Sequence, residues 1–340
     1  MPINRGFFRC STNVLKKILF WEERAVKYDM KIFSGSSAAD FTVKICSHLG
    51  IPVGDSDVFA FSEGNTFVRI NEPVRGKDIY LVQSIGLKPN DELVEILFWM
   101  DAFKRASAKS VTAIIPYFGY GKGDKKDEPR VSIRARVCAE CIELAGADRI
   151  ITMDLHSPQI QGFFKKPADN LQSRLLLCEF IKSLKLENYV IVSPDAGYAK
   201  QARAFSRYLG VPTAIGDKTR TDHSENAHIM EVIGDVKGRN AVIVDDFTIS
   251  GGTLINLAHS LKELGVHKII ACVSHMLLNE KGVRRIDESD IDTLVSTDSI
   301  YNPDASASRK VRIISAAPLF AEAVLRIHNN ESISPLFDNC

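Results

Sequence analysis

The feature that most constrains this chain is that one stretch of it is written twice. VRGKDIYLVQSIG (74–86) and VKGRNAVIVDDFT (236–248) share a valine, a basic residue, a glycine, a second basic residue, a polar residue and then an apolar run. The correspondence extends downstream. Each copy continues into a helix-like stretch and then a second apolar run, KRASAKSVTAIIPY in one half and KELGVHKIIACVSH in the other. Tandem duplication of one α/β unit accounts for this, with the join near residue 170. The spacing predicts an N-terminal unit over 30–170 and a C-terminal unit over 171–340, each a mainly parallel sheet flanked by helices.

Strand-length runs recur between helical stretches: KIFSG after Met30, IYLVQS (79–84), VTAIIPY (111–117), RIITMD (149–154), YVIVSPD (189–195), NAVIVDD (240–246), KIIACVSH (268–275), TLVST (293–297) and VRIISA (311–316). They read as continuous Val/Ile/Leu runs, the pattern of parallel strands buried on both faces. Polar residues stand at their C-terminal ends, which in open α/β sheets border the ligand crevice. The chemistry is therefore expected along one edge of each sheet.

The 340 residues include 45% hydrophobic and 25% charged residues, the balance of a soluble globular protein. A formal charge of +1 gives no reason to expect nucleic acid as a partner. No apolar run is long enough to suggest a membrane span. Seven scattered cysteines form no disulfide framework and point to a reducing, cytoplasmic setting. Cys138 and Cys141 spell C-x-x-C inside the helical VSIRARVCAECIELAGA, where the spacing puts both on one face; buried thiols are preferred to a metal site. The segment 1–29 starts basic and acid-free. It reads either as a targeting peptide or as a disordered tail, the latter preferred, with Met30 a natural start.

AVIVDDFTISGGT (241–253) is the most specific motif. An apolar strand delivers Asp245 and Asp246 to the sheet edge, where carboxylates can accept hydrogen bonds from vicinal sugar hydroxyls. Ser250, Gly251, Gly252 and Thr253 then offer small side chains and backbone N–H groups at a helix start, a cradle for phosphate. A helix cap alone would explain one of these residues, not the paired acids. Together they suit ribose 5-phosphate.

This loop resembles the phosphoribosyl-binding motif of type I phosphoribosyltransferase folds. With KRASAKSVTAIIPYFGYGKGDKKD, DLHSPQIQGFF, IVSPDAGYAKQAR and GDKTR, the chain from about Met30 to Phe337 resembles the ribose-phosphate pyrophosphokinases. The resemblance implies two duplicated phosphoribosyltransferase-like domains, an ATP side followed by a ribose 5-phosphate side. It also implies transfer of the β,γ-pyrophosphoryl group of ATP to the C1 hydroxyl of ribose 5-phosphate, with magnesium. Dimers assembled into a homohexamer, with active sites near subunit contacts, are implied as well.

Residue by residue, it implies a magnesium-associated His156 and Asp195 and a catalytic Lys218 and Arg220 on a lid. It implies ATP contacts at Phe61, Glu63, Gly64, Asn65, Lys122, Gly123, Asp124 and Arg130, and ribose 5-phosphate contacts at Asp245, Asp246, Ile249, Ser250, Gly251, Gly252 and Thr253. GDKTR itself is expected to follow an apolar strand and to precede a mobile segment.

Several positions depart from the family pattern. Lys122-Gly123 stands where Arg-Gln is usual; lysine keeps the charge and loses the planar fork. Glu63 and Asn65, Tyr198 in place of a glycine, and Ile249-Ser250 in place of Asp-Thr are the others. An active but divergent enzyme is preferred to a catalytically silent regulatory subunit, because the charged set is intact. A phosphoribosyltransferase is disfavoured, since one such domain would suffice for that reaction.

Overall fold

The continuous apolar runs fold as strands because helices cover both faces of each sheet; β12 (Ile269–Met276) is buried at all eight positions. The structure, a computed structural model, describes residues 29–220 and 228–337. In the first unit, β1 (Met30–Ser34), β4 (Asp78–Val82), β5 (Ser110–Ile115), β6 (Arg149–Met153) and β7 (Ala168–Leu171) form a parallel sheet in the order β1-β4-β5-β6-β7. β2 (Ser56–Ala60) and β3 (Thr66–Ile70) make a separate antiparallel hairpin.

The second sheet repeats the plan. β8 (Tyr189–Ser193), β11 (Asn240–Thr248), β12, β13 (Thr293–Thr297) and β14 (Val311–Ile314) lie side by side in that order and run parallel. β9 (Thr213–Arg220) and β10 (His228–Ile233) extend the β8 edge, with β10 antiparallel. In the first unit the β2–β3 hairpin precedes β4 in the same way, but its strands pair only with each other among the described residues; Val53, just before the hairpin, makes an isolated bridge to Ile32 of β1. Gly76 and Gly238, matched in the two copies, both take positive φ (73° and 69°) before their strands, which glycine alone adopts without penalty.

Helices complete the correspondence. α2 (Pro89–Arg105) and α3 (Arg134–Ala145) cover one face of the first sheet, around the fully buried Trp99, Phe103 and Phe33. Each such side chain contributes about 1.5–3 kcal/mol by leaving water. α6 (Gly252–Glu263) and α7 (Glu280–Glu288) do the same for the second sheet. The remaining faces are covered by exchange. α4 (Arg174–Ser183), which comes after the first sheet, packs with α5 (Ala199–Leu209) on the second. α8 (Ala317–His328), which comes after the second sheet, packs with α1 (Ala39–Leu49) on the first through Phe41, Ile45, Phe320 and Val324. The first unit is thus completed by residues 317–328, which a division at residue 170 places in the other half. No helix among the described residues is long and apolar enough to cross a membrane.

The nine predicted runs all fold as strands; β2, β3, β7, β9 and β10 are additional, and one expectation needs correction. GDKTR (216–220) does not come after a strand; it is the second half of β9. Backbone pairing with β10 (Gly216–Val232 and Arg220–His228 among the partners) carries the strand past its apolar residues. Cross-strand hydrogen bonding extended what side-chain pattern alone would have ended.

Candidate active site

The C-terminal ends of β6, β8 and β11 converge between the two sheets, where a cleft of about 480 Å³ opens. Asp245 and Asp246 lie on β11, Asp195 just beyond β8, and His156 three residues beyond β6. Across the units, His156 Nδ1 and Asp246 Oδ2 are 2.7 Å apart. This pair joins a side chain of the first unit to one of the second. The bond to Asp246 raises the His156 pKa, against the opposing effect of burial. Asp245 is pushed up to about 8, first by burial and then by the charge of Asp246 beside it.

That shift predicts a stability profile. In the unfolded chain Asp245 ionises near its ordinary value; in the fold it keeps its proton until about pH 8. The native state therefore binds more protons between these values, and stability falls as pH rises through that window. Asp245→Asn keeps the oxygen that accepts the Asp246 N–H (3.0 Å) and cannot ionise. It is expected to raise Tm by several degrees or more at pH 8, because the variant escapes the cost of ionising a buried carboxyl beside Asp246. The gain should shrink toward pH 4. A pH-independent Tm difference in thermal melts would refute the assignment of a proton to Asp245.

The turn expected to cradle phosphate lines the same cleft. β11 ends at Thr248, Ile249 and Ser250 are exposed, and Gly251 caps α6 with φ 76°. A methyl group there would be strained and would stand 3.2 Å from Ile286 Cδ1. Ser250 Oγ faces the Gly252 N–H at 3.4 Å, and Ser250 O accepts from Arg285 at 3.3 Å. The first turn of α6, the positive end of its dipole, therefore lines the cleft. An anion held here leaves an attached sugar within reach of Asp245 and Asp246.

Lys122, Asp124 and Lys125 line the same cleft, with Lys122 Nζ 4.6 Å above the Phe247 ring. Asp195 accepts the Tyr198 N–H at 3.0 Å, and Tyr198 itself lines the cleft. Gly123 is buried beneath the side chain of Arg134, and Arg130 is exposed in the same loop with φ 65°. Neither Gly123 nor Arg130 lines the cleft. Phe61, Glu63, Gly64 and Asn65 are not brought to it either. They form the tip of the β2–β3 hairpin, where Phe61 (46% exposed) packs with Phe59 and Phe67 at ring distances of 5.2 and 5.7 Å. Lys218 and Arg220 end β9 by their backbone; their side chains, like residues 221–227 of the expected lid, lie outside the described residues.

Motif reading missed the clamp that holds the two units at this spacing. Asp154 sits at a positive φ of 42°, and its Oδ2 accepts from Ser173 N (3.0 Å) and Ser274 Oγ (2.7 Å). The next residue, His275, bridges Met153 O (3.0 Å) and Ser299 Oγ (2.7 Å). Burial lowers its pKa, so the neutral ring donates from Nε2 to the carbonyl and accepts at Nδ1 from the hydroxyl. Thus β12 of the second unit grips the end of β6, the strand that presents His156. The signal lay in the repeat: Tyr117 and His275 close the two matched segments, and in the fold their rings meet at 4.9 Å.

The repeat also shows why each chain has one such site. Gln83 and Ser84 occupy the places of Asp245 and Asp246. Gln83 accepts from the Ser37 backbone and hydroxyl (2.9 and 2.8 Å), and Ser84 donates to Ser299 O. Glu92 accepts the Gly86 N–H at 2.5 Å. The Gly86 N–H, in the place of the Thr248 N–H, is thus satisfied by the chain's own carboxylate.

Comparison with known proteins agrees with this geometry. The sequence profile of the N-terminal domain of ribose phosphate pyrophosphokinase matches residues 30–146, and that of the phosphoribosyl synthetase-associated domain matches residues 221–338. A ribose-phosphate pyrophosphokinase from Campylobacter jejuni is 42% identical over 307 residues, 90% of this chain and 98% of its own. The chain belongs to the ribose-phosphate pyrophosphokinase family. Another member, from Maricaulis maris, is 43% identical over 311 residues, 91% of this chain and 100% of its own. The crystal structure of phosphoribosylpyrophosphate synthetase from Mycobacterium smegmatis superposes with a TM-score of 0.83 at 34% identity, covering 88% of this chain and 99% of that one.

Proposed function

We infer that this chain is a ribose-phosphate diphosphokinase, moving the β,γ-pyrophosphoryl group of ATP to the C1 hydroxyl of ribose 5-phosphate. The observation that carries the reading is the cross-unit pair of His156 and Asp246, beside a phosphate cradle and above a lysine-lined wall. In this assignment the α6 N-terminus with Ser250, Gly251, Gly252 and Thr253 holds the 5-phosphate. Ile249 adds no polar side chain to that grip, and Asp245 and Asp246 accept hydrogen bonds from the ribose hydroxyls. The C1 oxygen attacks the β-phosphorus and loses its proton, the bond from that phosphorus to the α-phosphate oxygen breaks, and AMP leaves. Lys218 and Arg220 meet the charge that gathers on the phosphoryl oxygens.

The donor set fits magnesium. Asp195 and His156 line one cleft with Asp245 and Asp246, and the like-charge crowding that keeps Asp245 protonated is what a divalent cation relieves. Bound there, magnesium would neutralise triphosphate charge.

The nucleotide side is shared in this reading. Lys122, Asp124 and Arg130 come from one chain, and Phe61, Glu63, Gly64 and Asn65 from the hairpin of a second copy. The exposed Phe59 and Phe61, packed on Phe67 outside the cleft, support such a homo-oligomer, assembled as a hexamer in the cytoplasm. Purified protein given magnesium, ATP and ribose 5-phosphate is expected to yield AMP and a pyrophosphorylated sugar by phosphorus NMR. Neither product forming across metal and phosphate concentrations would overturn the proposal.

A further inference from the structure

Gly123 lies in a short 3-10 turn, Gly121–Gly123, between Lys122 and Asp124, both of which line the cleft. It is buried although it carries no side chain, because Arg134 folds back over it. A Cβ built on Gly123 would stand 2.6 Å from Arg134 Nε, 2.9 Å from its Cβ and 3.3 Å from Cζ. Those distances are below van der Waals contact, so a side chain at 123 and the present position of Arg134 exclude each other. The absence of a side chain at 123 is what lets a guanidinium stand beside the lysine-lined wall.

Nothing in the fold uses that guanidinium. Arg134 is exposed and makes no hydrogen bond or ion pair among the described residues, whereas its neighbour Arg136 is paired with Glu140. It is also the first residue of α3, whose first turn holds no acid and whose N-cap, Ile133, has no capping side chain. A cation at the positive end of a helix is disfavoured by the dipole unless an anion is shared with it. Close by in sequence stand Lys122 and Lys125, with Asp124 between them. Arg134 does not itself line the cleft, but it stands over the turn that joins the two cleft-lining residues Lys122 and Asp124.

Building on the proposed function, we propose that Arg134 binds the phosphate chain of the nucleotide substrate and that Gly123 exists to admit it. Lys122 supplies a point charge on the wall; Arg134 supplies the planar fork that pairs two oxygens of one phosphoryl group. Its partner is a nucleoside phosphate rather than ribose 5-phosphate, for which the α6 N-terminus is the proposed cradle.

The test is a mutant cycle on the full chain with magnesium-ATP as probe. Arg134→Ala is expected to weaken ATP binding about tenfold by calorimetry and to raise the KM for ATP equally, leaving the KM for ribose 5-phosphate within about twofold. Gly123→Ala displaces the guanidinium and should produce a similar loss. The double variant should be no worse than either single one, because both remove the same contact. Adenosine binding should be unchanged in all three. Losses that add, an ATP affinity within twofold of wild type in Arg134→Ala, or an equal loss for adenosine would each overturn the inference. Calorimetry without sugar keeps the two proposals apart. A chain that binds ATP through Arg134 yet forms no product refutes the pyrophosphokinase reading alone.

Discussion

Lys218→Ala is expected to lower kcat by roughly 10³-fold while the KM for ribose 5-phosphate stays within about threefold. Pyrophosphoryl transfer asks little covalent chemistry of the protein. The charge on the phosphoryl oxygens is redistributed as the β-phosphorus changes partners, and a fixed cation present only at that moment acts on kcat. The ribose 5-phosphate contacts proposed above lie elsewhere, on Asp245, Asp246 and the start of α6, so ground-state sugar binding should be spared. Arg220→Ala should behave alike, and the double variant should fall short of the product of the two. Steady-state kinetics with both substrates varied, together with calorimetric binding of ribose 5-phosphate, separates the effects. Unchanged turnover in Lys218→Ala would remove this strand end from the mechanism.

Asp246→Ala should lose about 10²–10³ in kcat/KM, and for a different reason. Its Oδ1 accepts the Phe247 N–H at 2.9 Å and its Oδ2 faces His156 at 2.7 Å, so one side chain links the sugar loop to the other unit. Removing it leaves His156 without its acceptor and takes away the charge that, after burial, raises the Asp245 pKa. A second signature is expected in the melts: the fall of Tm with rising pH below pH 8 should flatten in Asp246→Ala. Asp246→Asn keeps the bond to Phe247 and should fold as well as wild type, with most of the activity still missing. Activity retained in Asn and lost only in Ala would mean that the carboxylate is structural.

Much of the molecule is legible in the order of its residues. Period and composition suffice for β4, β5, β6, β8, β11, β12 and β13, because a strand buried on both faces has to be apolar throughout. The sugar loop is equally legible, since a strand, two acids and a small-residue turn are contiguous in the chain. The β2–β3 hairpin is harder. Its burial is partial along both strands, so no run of apolar residues announces it. GDKTR has the composition of a loop because its backbone bonds, not its side chains, make it a strand.

What the sequence by itself determined is local: two α/β units, their strand ends, and the residue types delivered there. Tertiary structure alone decided which ends meet. It put His156 of one unit on Asp246 of the other, crossed α8 back onto the first sheet, and closed the interface with Ser274 and His275 around Met153 and Asp154. It left Phe61–Asn65 outside the cleft and laid Arg134 over Gly123. The reason is physical. Strand and helix propensity are settled by neighbours in sequence, whereas these contacts join residues far apart in it. They depend on how two buried faces pack, and on the rule that a polar group taken out of water must find a partner.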